Sequence, residues 1–156
     1  MTGRALTPAE VALARSMFGP AIDYGAVRVH NRAWWPFQPR RVAMAPDGHM
    51  WFHPKGGLFC DDFCAAPMAM QGLFIHEMTH VHQSQQRGRW YLPLMRHPFC
   101  RYDYDLVPGK PFDRYGIEQQ AEIVRHAFLL RNGMTVAGKP PLPAYDALLP
   151  FSGDRG

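Results

Sequence analysis

The chain has little of what would place it in several large classes. It holds only three cysteines, Cys60, Cys64 and Cys100, and an odd count excludes a fully paired disulfide framework. Cys60 and Cys64 have a CxxxC spacing, but no second pair completes a four-cysteine zinc site, so they read as thiols of a protein made in a reducing compartment. No run approaches the roughly 18 apolar residues that a membrane-spanning helix needs. The N-terminal MTGRALTPAEVALARSMFG lacks the apolar centre of a Sec signal peptide, which implies synthesis in the cytoplasm and any export by another route. Charged residues make up 19% of the chain, with a net charge of +4 and a pI of about 9.2. The Lys and Arg are scattered with no polybasic run, which reads as a solvated surface rather than a nucleic-acid footprint. There are no internal repeats and no linker that would divide the chain.

What is there fits one folded domain. The chain has 156 residues, 47% apolar and 13% aromatic, enough for a single modest core. LTPAEVALARSMFG predicts a helix with Thr7 as N-cap, Pro8 at its first position and Gly19 as its stop. Tyr24 to His30 reads as a strand. Arg41 to Ala45 and His49 to His53 read as a β-hairpin turning at Asp47-Gly48. Pro67 to Gly88 is the strongest helical stretch, and Arg114 to Gly133 is a second. Residues 88 to 113 between them form a long irregular connection rich in aromatics and proline, the kind of segment that tends to cover a site. The fold class expected is α+β, with a core over about residues 5–133 and an extended Pro-rich tail over 134–156 whose ends are disordered. Trp34, Trp35 and Phe37 are unusually apolar for a loop; they read as a cap on the core, with a contact patch as the alternative.

The chemistry is concentrated in LFIHEMTHVHQ, Leu73 to Gln83. On a helix, His76 and His80 lie within about 40° of each other, so both imidazoles can reach one cation. Glu77 stands at the edge of that face, where it can take a proton from a water bound to the metal. His82 lies about 200° round from His80 and off that face. A catalytic zinc needs a third protein ligand and one open position. Asp103, Asp105, Asp113, Glu118 and Glu122 are the acidic candidates. Glu118 and Glu122 share a face of the second helix, which suits one ligand and one carboxylate that accepts a hydrogen bond from a ligand histidine. The ordinary alternative is a surface acidic pair, with Glu122 bridged to Arg125.

HEMTH followed after a long loop by EQQAE resembles the gluzincin branch of the zinc metallopeptidases. The stretch from Phe74 to Phe128, with FIHEMTHVHQ and YDYDLVPGKPFDRYGIEQQAEIV, is similar to small bacterial Vgr-related and Rhs-associated metallopeptidase-like proteins. QSQQRG after His80 departs from the metzincin pattern. The resemblance implies a minimal zincin-like fold and zinc held by His76, His80 and Glu118. It implies Glu77 as general base and Glu122 as the carboxylate behind a ligand histidine. It also implies a Tyr or His that stabilises the oxyanion. Tyr115, three residues before Glu118 and so on nearly the same helix face, is the first candidate and Tyr104 in the covering loop the second, each with packing in the loop as its ordinary alternative. The position of His126, about 80° round the helix from Glu118, reads as structural or surface. In such enzymes an edge strand binds the substrate by strand addition, which points to His49, Trp51 and His53. The activity implied is hydrolysis of a peptide or protein substrate in a bacterial secretion or contact-dependent setting. A catalytically inert zinc-stabilised adaptor, its site filled by the loop from Trp90 to Asp113, is the competing expectation.

Overall fold

A capping box starts the first helix, α1, Pro8–Phe18. The Thr7 hydroxyl accepts from the Glu10 N–H at 3.0 Å, and the Glu10 carboxylate accepts from the Thr7 N–H at 2.9 Å, which satisfies two of the donors a helix start leaves over. Glu10 is fully buried because it has more partners than its cap. Arg4 grips it in bidentate fashion at 2.9 and 2.8 Å, and the Phe63 N–H donates to it at 2.9 Å. That anchoring holds a two-residue strand, β1, Arg4–Ala5, too short to register in the sequence pattern. The computed structural model describes residues 3–96 and 100–153.

The sheet is small, ordered β1-β2-β3. Strand β2 covers Arg28–His30, since Tyr24–Ala26 coils into a 3-10 turn where a strand was expected. It pairs antiparallel with β1 and parallel with β3, Met50–Trp51. The expected hairpin shrinks to a single antiparallel bridge between Met44 and Trp51, with N–O distances of 3.0 and 2.7 Å. Prolines explain the loss. Val42 turns back onto the Pro39 carbonyl, and Pro46 has no N–H for a ladder.

Helix α2, Met68–Arg87, is buried at every position from Phe74 to Val81. It is held between the rest of the core and α4, Ile117–Arg131. The two helices approach closely: a Cβ on Gly72 would lie 3.3 Å from Leu129 Cδ2 and 3.4 Å from Arg125 Nε. The connection between α2 and α4 is less irregular than expected. It carries a short helix, α3, Tyr91–Met95, and a 3-10 turn at Phe112–Arg114. Helix α4 begins three residues later than its apolar pattern suggested. The Gln119 side chain accepts from the Gly116 N–H at 2.9 Å and fixes the start there, leaving Tyr115 extended at φ −79°, ψ 154°.

The tail corrects the sequence expectation. Residues Leu142–Leu148 form a helix, α5, against α4. Its Tyr145 is fully buried and bonds the Tyr104 hydroxyl at 2.7 Å. Phe151 then packs on Phe18, His82 and Phe112. The backbones of tail and α1 meet so tightly that Cβ atoms on Gly19 and Gly153 would fall 2.0 Å from the Ser152 carbonyl oxygen and 2.2 Å from that of Ser16. Gly19 also has φ of +54°, a conformation that suits glycine. Apolar spacing at Tyr145, Leu148 and Phe151 was masked by the prolines around it. The expected disordered ends, residues 154–156, lie outside the described residues. Tyr145→Ala is expected to cost about 3–5 kcal/mol by emptying a core position and orphaning Tyr104, read as a lower urea midpoint; a loss under about 1 kcal/mol would mean that the tail is a surface appendage.

Candidate metal centre

His76 and His80 stand one turn apart on α2, and Glu118 sits in the first turn of α4. The helix crossing brings them together. The two Nε2 atoms are 3.2 Å apart, and Glu118 Oε2 lies 3.2 Å from His76 Nε2 and 3.0 Å from His80 Nε2. All three side chains are buried, and each can offer one donor atom to a common cation. Zinc bonds of 2.0–2.1 Å in a tetrahedron would set neighbouring ligand atoms about 3.3–3.4 Å apart, so the triangle has the right size. Two imidazole nitrogens facing each other at 3.2 Å also need a positive charge between their lone pairs, a proton or a metal.

Each of the other ring nitrogens faces an oxygen that can accept from it, His80 at hydrogen-bond distance and His76 at a longer one. Gln83 donates its amide N–H bonds to the Ile117 carbonyl and to Gln120 Oε1, at 3.0 and 3.1 Å. Its oxygen therefore faces His80 Nδ1, at 2.8 Å, and must accept from it. That places the proton on Nδ1 and frees Nε2 for the centre. His76 Nδ1 faces Glu122 Oε2 at 3.6 Å, and among the described residues neither atom has a hydrogen bond elsewhere. Glu122 also lies 3.8 Å from Arg125 and 3.9 Å from His126, so one carboxylate faces both the Arg125 of the expected surface pairing and the His76 ring.

Charge is distributed unevenly over the cluster. Burial works to lower the His76 pKa, but the carboxylates of Glu118 and Glu122 beside it outweigh burial and raise it to about 9. Burial pushes Glu118 the other way, yet the two histidines hold it well below the usual carboxylate range. Burial raises the Glu77 pKa, opposed by His76, His80 and Arg96. Glu77 lines a cavity of about 170 Å³ together with His76, His80, Glu118 and Tyr102. A second cavity of about 540 Å³ adjoins the centre at His80, Tyr102 and Glu118, with Trp34, Trp35 and Leu92 on its walls.

Other expected site residues are placed elsewhere. Tyr115 is not on the helix face that spacing assumed. Its hydroxyl accepts from the Val107 N–H at 3.0 Å, so it braces the loop before α4. Tyr104 bonds His126 and Tyr145, at 2.6 and 2.7 Å. His82 packs on Phe151, clear of the metal face. On the expected substrate strand, Trp51 stacks on His30 at 3.8 Å and bonds Asp47. His49 accepts from the Arg28 N–H and His53 from the Lys55 N–H, and none of the three lines either cavity at the centre. Trp51 has its own N–H and carbonyl paired with Met44. The segment that faces the cleft is the one before it, with Val42 on the walls of both cavities.

The residues that sequence reasoning missed come from the loop. Tyr102 stacks over the His76 ring, centroids 6.2 Å apart and planes 13° apart. Arg96 holds its Nε 3.8 Å from Glu118 Oε1 and reaches the Tyr102 hydroxyl at 3.5 Å. Neither has a fixed spacing from a motif, so only their presence in a long aromatic connection pointed to them. Gln83 was legible in principle, three residues after His80 on the same helix.

Fold and centre together define a small domain of mixed helix and sheet built around a buried His-His-Glu cluster able to hold a metal. No family model matches the chain. It is 41% identical over 142 residues to the type VI secretion system spike protein VgrG2b of Pseudomonas aeruginosa, an alignment that covers 83% of this chain and 13% of that protein. The solved effector domain of Pseudomonas aeruginosa VgrG2b superposes with a TM-score of 0.77 at 35% identity, covering 95% of this chain and 84% of that one. The chain belongs to the family of the VgrG2b effector domain, and spans about one eighth of the full spike protein.

Two outcomes test the centre. In chelator competition, zinc should be lost from Glu118→Ala and retained by His82→Ala, while Gln83→Ala should bind it about 10–100-fold more weakly; full zinc loading of Glu118→Ala would refute the ligand set. The second concerns pH. A histidine raised in the folded state stabilises below its unfolded value of 6.5, and that stability is lost as pH rises through about 9. The metal-free domain should thus weaken between pH 6.5 and 9 in urea titrations, and added zinc should release a proton there. A flat profile would contradict the His76–Glu118 pairing.

Proposed function

We propose that the domain is a zinc-dependent metallopeptidase of gluzincin type, with a minimal zincin-like α+β fold, delivered through a type VI secretion system. The observation that carries the activity is the triangle of His76, His80 and Glu118 with Glu77 beside it on the wall of the same cavity. Zinc held there would bring a bound water's pKa from 15.7 to roughly 7. Glu77 would take a proton from the attacking water and pass it to the leaving amine. Its raised pKa suits both halves of that task. Tyr102, over His76 and bonded to Arg96, takes the place that Tyr115 was expected to fill, as donor to the oxygen of the scissile carbonyl.

The 540 Å³ cavity beside the centre supports an enzyme over the inert adaptor. Among the described residues, the connecting loop contributes Leu92, Arg96 and Tyr102 to the walls of the cleft. The secretion setting rests on the kinship with a type VI spike protein and its effector domain. Among the described residues no helix is long and apolar enough to cross a membrane.

Glu77→Gln separates the readings. It should keep zinc at wild-type stoichiometry and cut kcat on a peptide library by about 10²–10⁴-fold, with Tyr102→Phe giving a smaller fall. Equal hydrolysis by wild type and Glu77→Gln would remove Glu77 as the base, and no hydrolysis by zinc-loaded wild type across the library would favour the adaptor.

A further inference from the structure

The two lips of the cleft carry an apolar and basic surface that the cleft itself does not use. One lip is the segment 31–41, the other is 87–96. Trp34 and Trp35 from the first and Leu92 and Pro93 from the second line the larger cavity. Further out, Phe37 is 78% exposed, Leu94 81% and Trp90 59%, and all three stand outside the walls of both cavities at the metal centre. Water-facing aromatic and aliphatic side chains concentrated round one opening mark a surface that is covered in use.

The charge of the lips identifies what covers them. They carry Arg32, Arg40 and Arg41 on one side and Arg87, Arg89 and Arg96 on the other, with no Asp or Glu in either segment. All but Arg96 are exposed. Arginine and aromatic groups are interleaved in space as well as in sequence, with the Arg89 guanidinium 4.9 Å over the Trp90 ring and that of Arg87 5.7 Å over Tyr91. The exposed chemistry is therefore guanidinium and hydrocarbon, with almost no directional polar groups. A lipid interface of phosphate headgroups over acyl chains matches both halves of it, since tryptophan and arginine settle at that boundary and anionic headgroups attract the cations.

We propose that the mouth of the cleft docks on an anionic phospholipid surface, with Phe37, Trp90 and Leu94 entering the headgroup boundary and the arginines pairing with phosphates. The orientation would turn the metal centre toward the membrane plane. Resting on the proposed hydrolysis, substrates would be taken from that plane. The docking does not depend on metal or on hydrolysis, so it stands or falls separately from the proposed activity.

The test is cosedimentation of the zinc-loaded full chain with vesicles of phosphatidylcholine, pure or with about a quarter phosphatidylglycerol. Binding to the anionic vesicles should exceed that to the neutral ones by about tenfold and fall steeply at about 0.5 M salt. The Phe37→Ser/Leu94→Ser double variant should lose it while keeping its zinc content and circular dichroism. Tryptophan emission should shift to the blue on the anionic vesicles alone. Equal binding to both vesicle types, full binding by the double variant, or no vesicle binding by a chain that instead sediments as a dimer through the same residues would each overturn the proposal.

Discussion

Everything at the centre of this domain depends on one arrangement of charge: a buried carboxylate set against two imidazole nitrogens, all within 3.2 Å of one another. Removing a carboxylate from water is costly unless it is compensated. Here Glu118 sits at the start of α4, where the helix dipole favours a negative group, and Arg96 lies near its second oxygen. Histidines buried on α2 supply the remaining donors. The close crossing at Gly72 gives this cluster its dimensions.

From that triangle, support spreads outward along two lines. One runs from His80 through Gln83 to the Ile117 carbonyl, so the start of α4 also determines which histidine nitrogen is free. The other runs from His76 to Glu122, on to His126, then to Tyr104 and Tyr145. The second line ends in α5. A segment that looks dispensable by composition thus belongs to the frame that surrounds the His76 ring.

The sequence was most informative where a period or a motif carried the signal. The N-cap at Thr7, the two long helices, and the pairing of His76 with His80 and of Glu118 with Glu122 follow from residue types at fixed spacings along a helix, whereas the choice of Glu118 over Glu122 as the partner of the histidines came from the family resemblance. Where tertiary partners decide, it was silent or misleading. Spacing put Tyr115 on the face of Glu118, but the Gln119 cap starts the helix after it. The hairpin pattern was real at Met44 and Trp51 alone. The tail read as extended because proline content dominates local propensity, whereas burial of Tyr145 and Phe151 outweighs it. Trp34, Trp35 and Phe37, read first as a cap on the core, are exposed. Tyr102 and Arg96 reach the centre through the course of a loop, which no spacing rule encodes.

The two helices that form the centre also set a condition on how the domain can travel. Glu118 lies 38 residues beyond His80, and no short peptide loop joins the third ligand to the other two. Only the folded chain brings them together, and an unfolded chain retains a two-histidine site of far weaker affinity. A route that threads the chain as an extended strand would leave behind any metal held there. A cluster delivered in that way would have to be filled where the chain refolds, so metal availability at the destination would govern whether it is ever occupied.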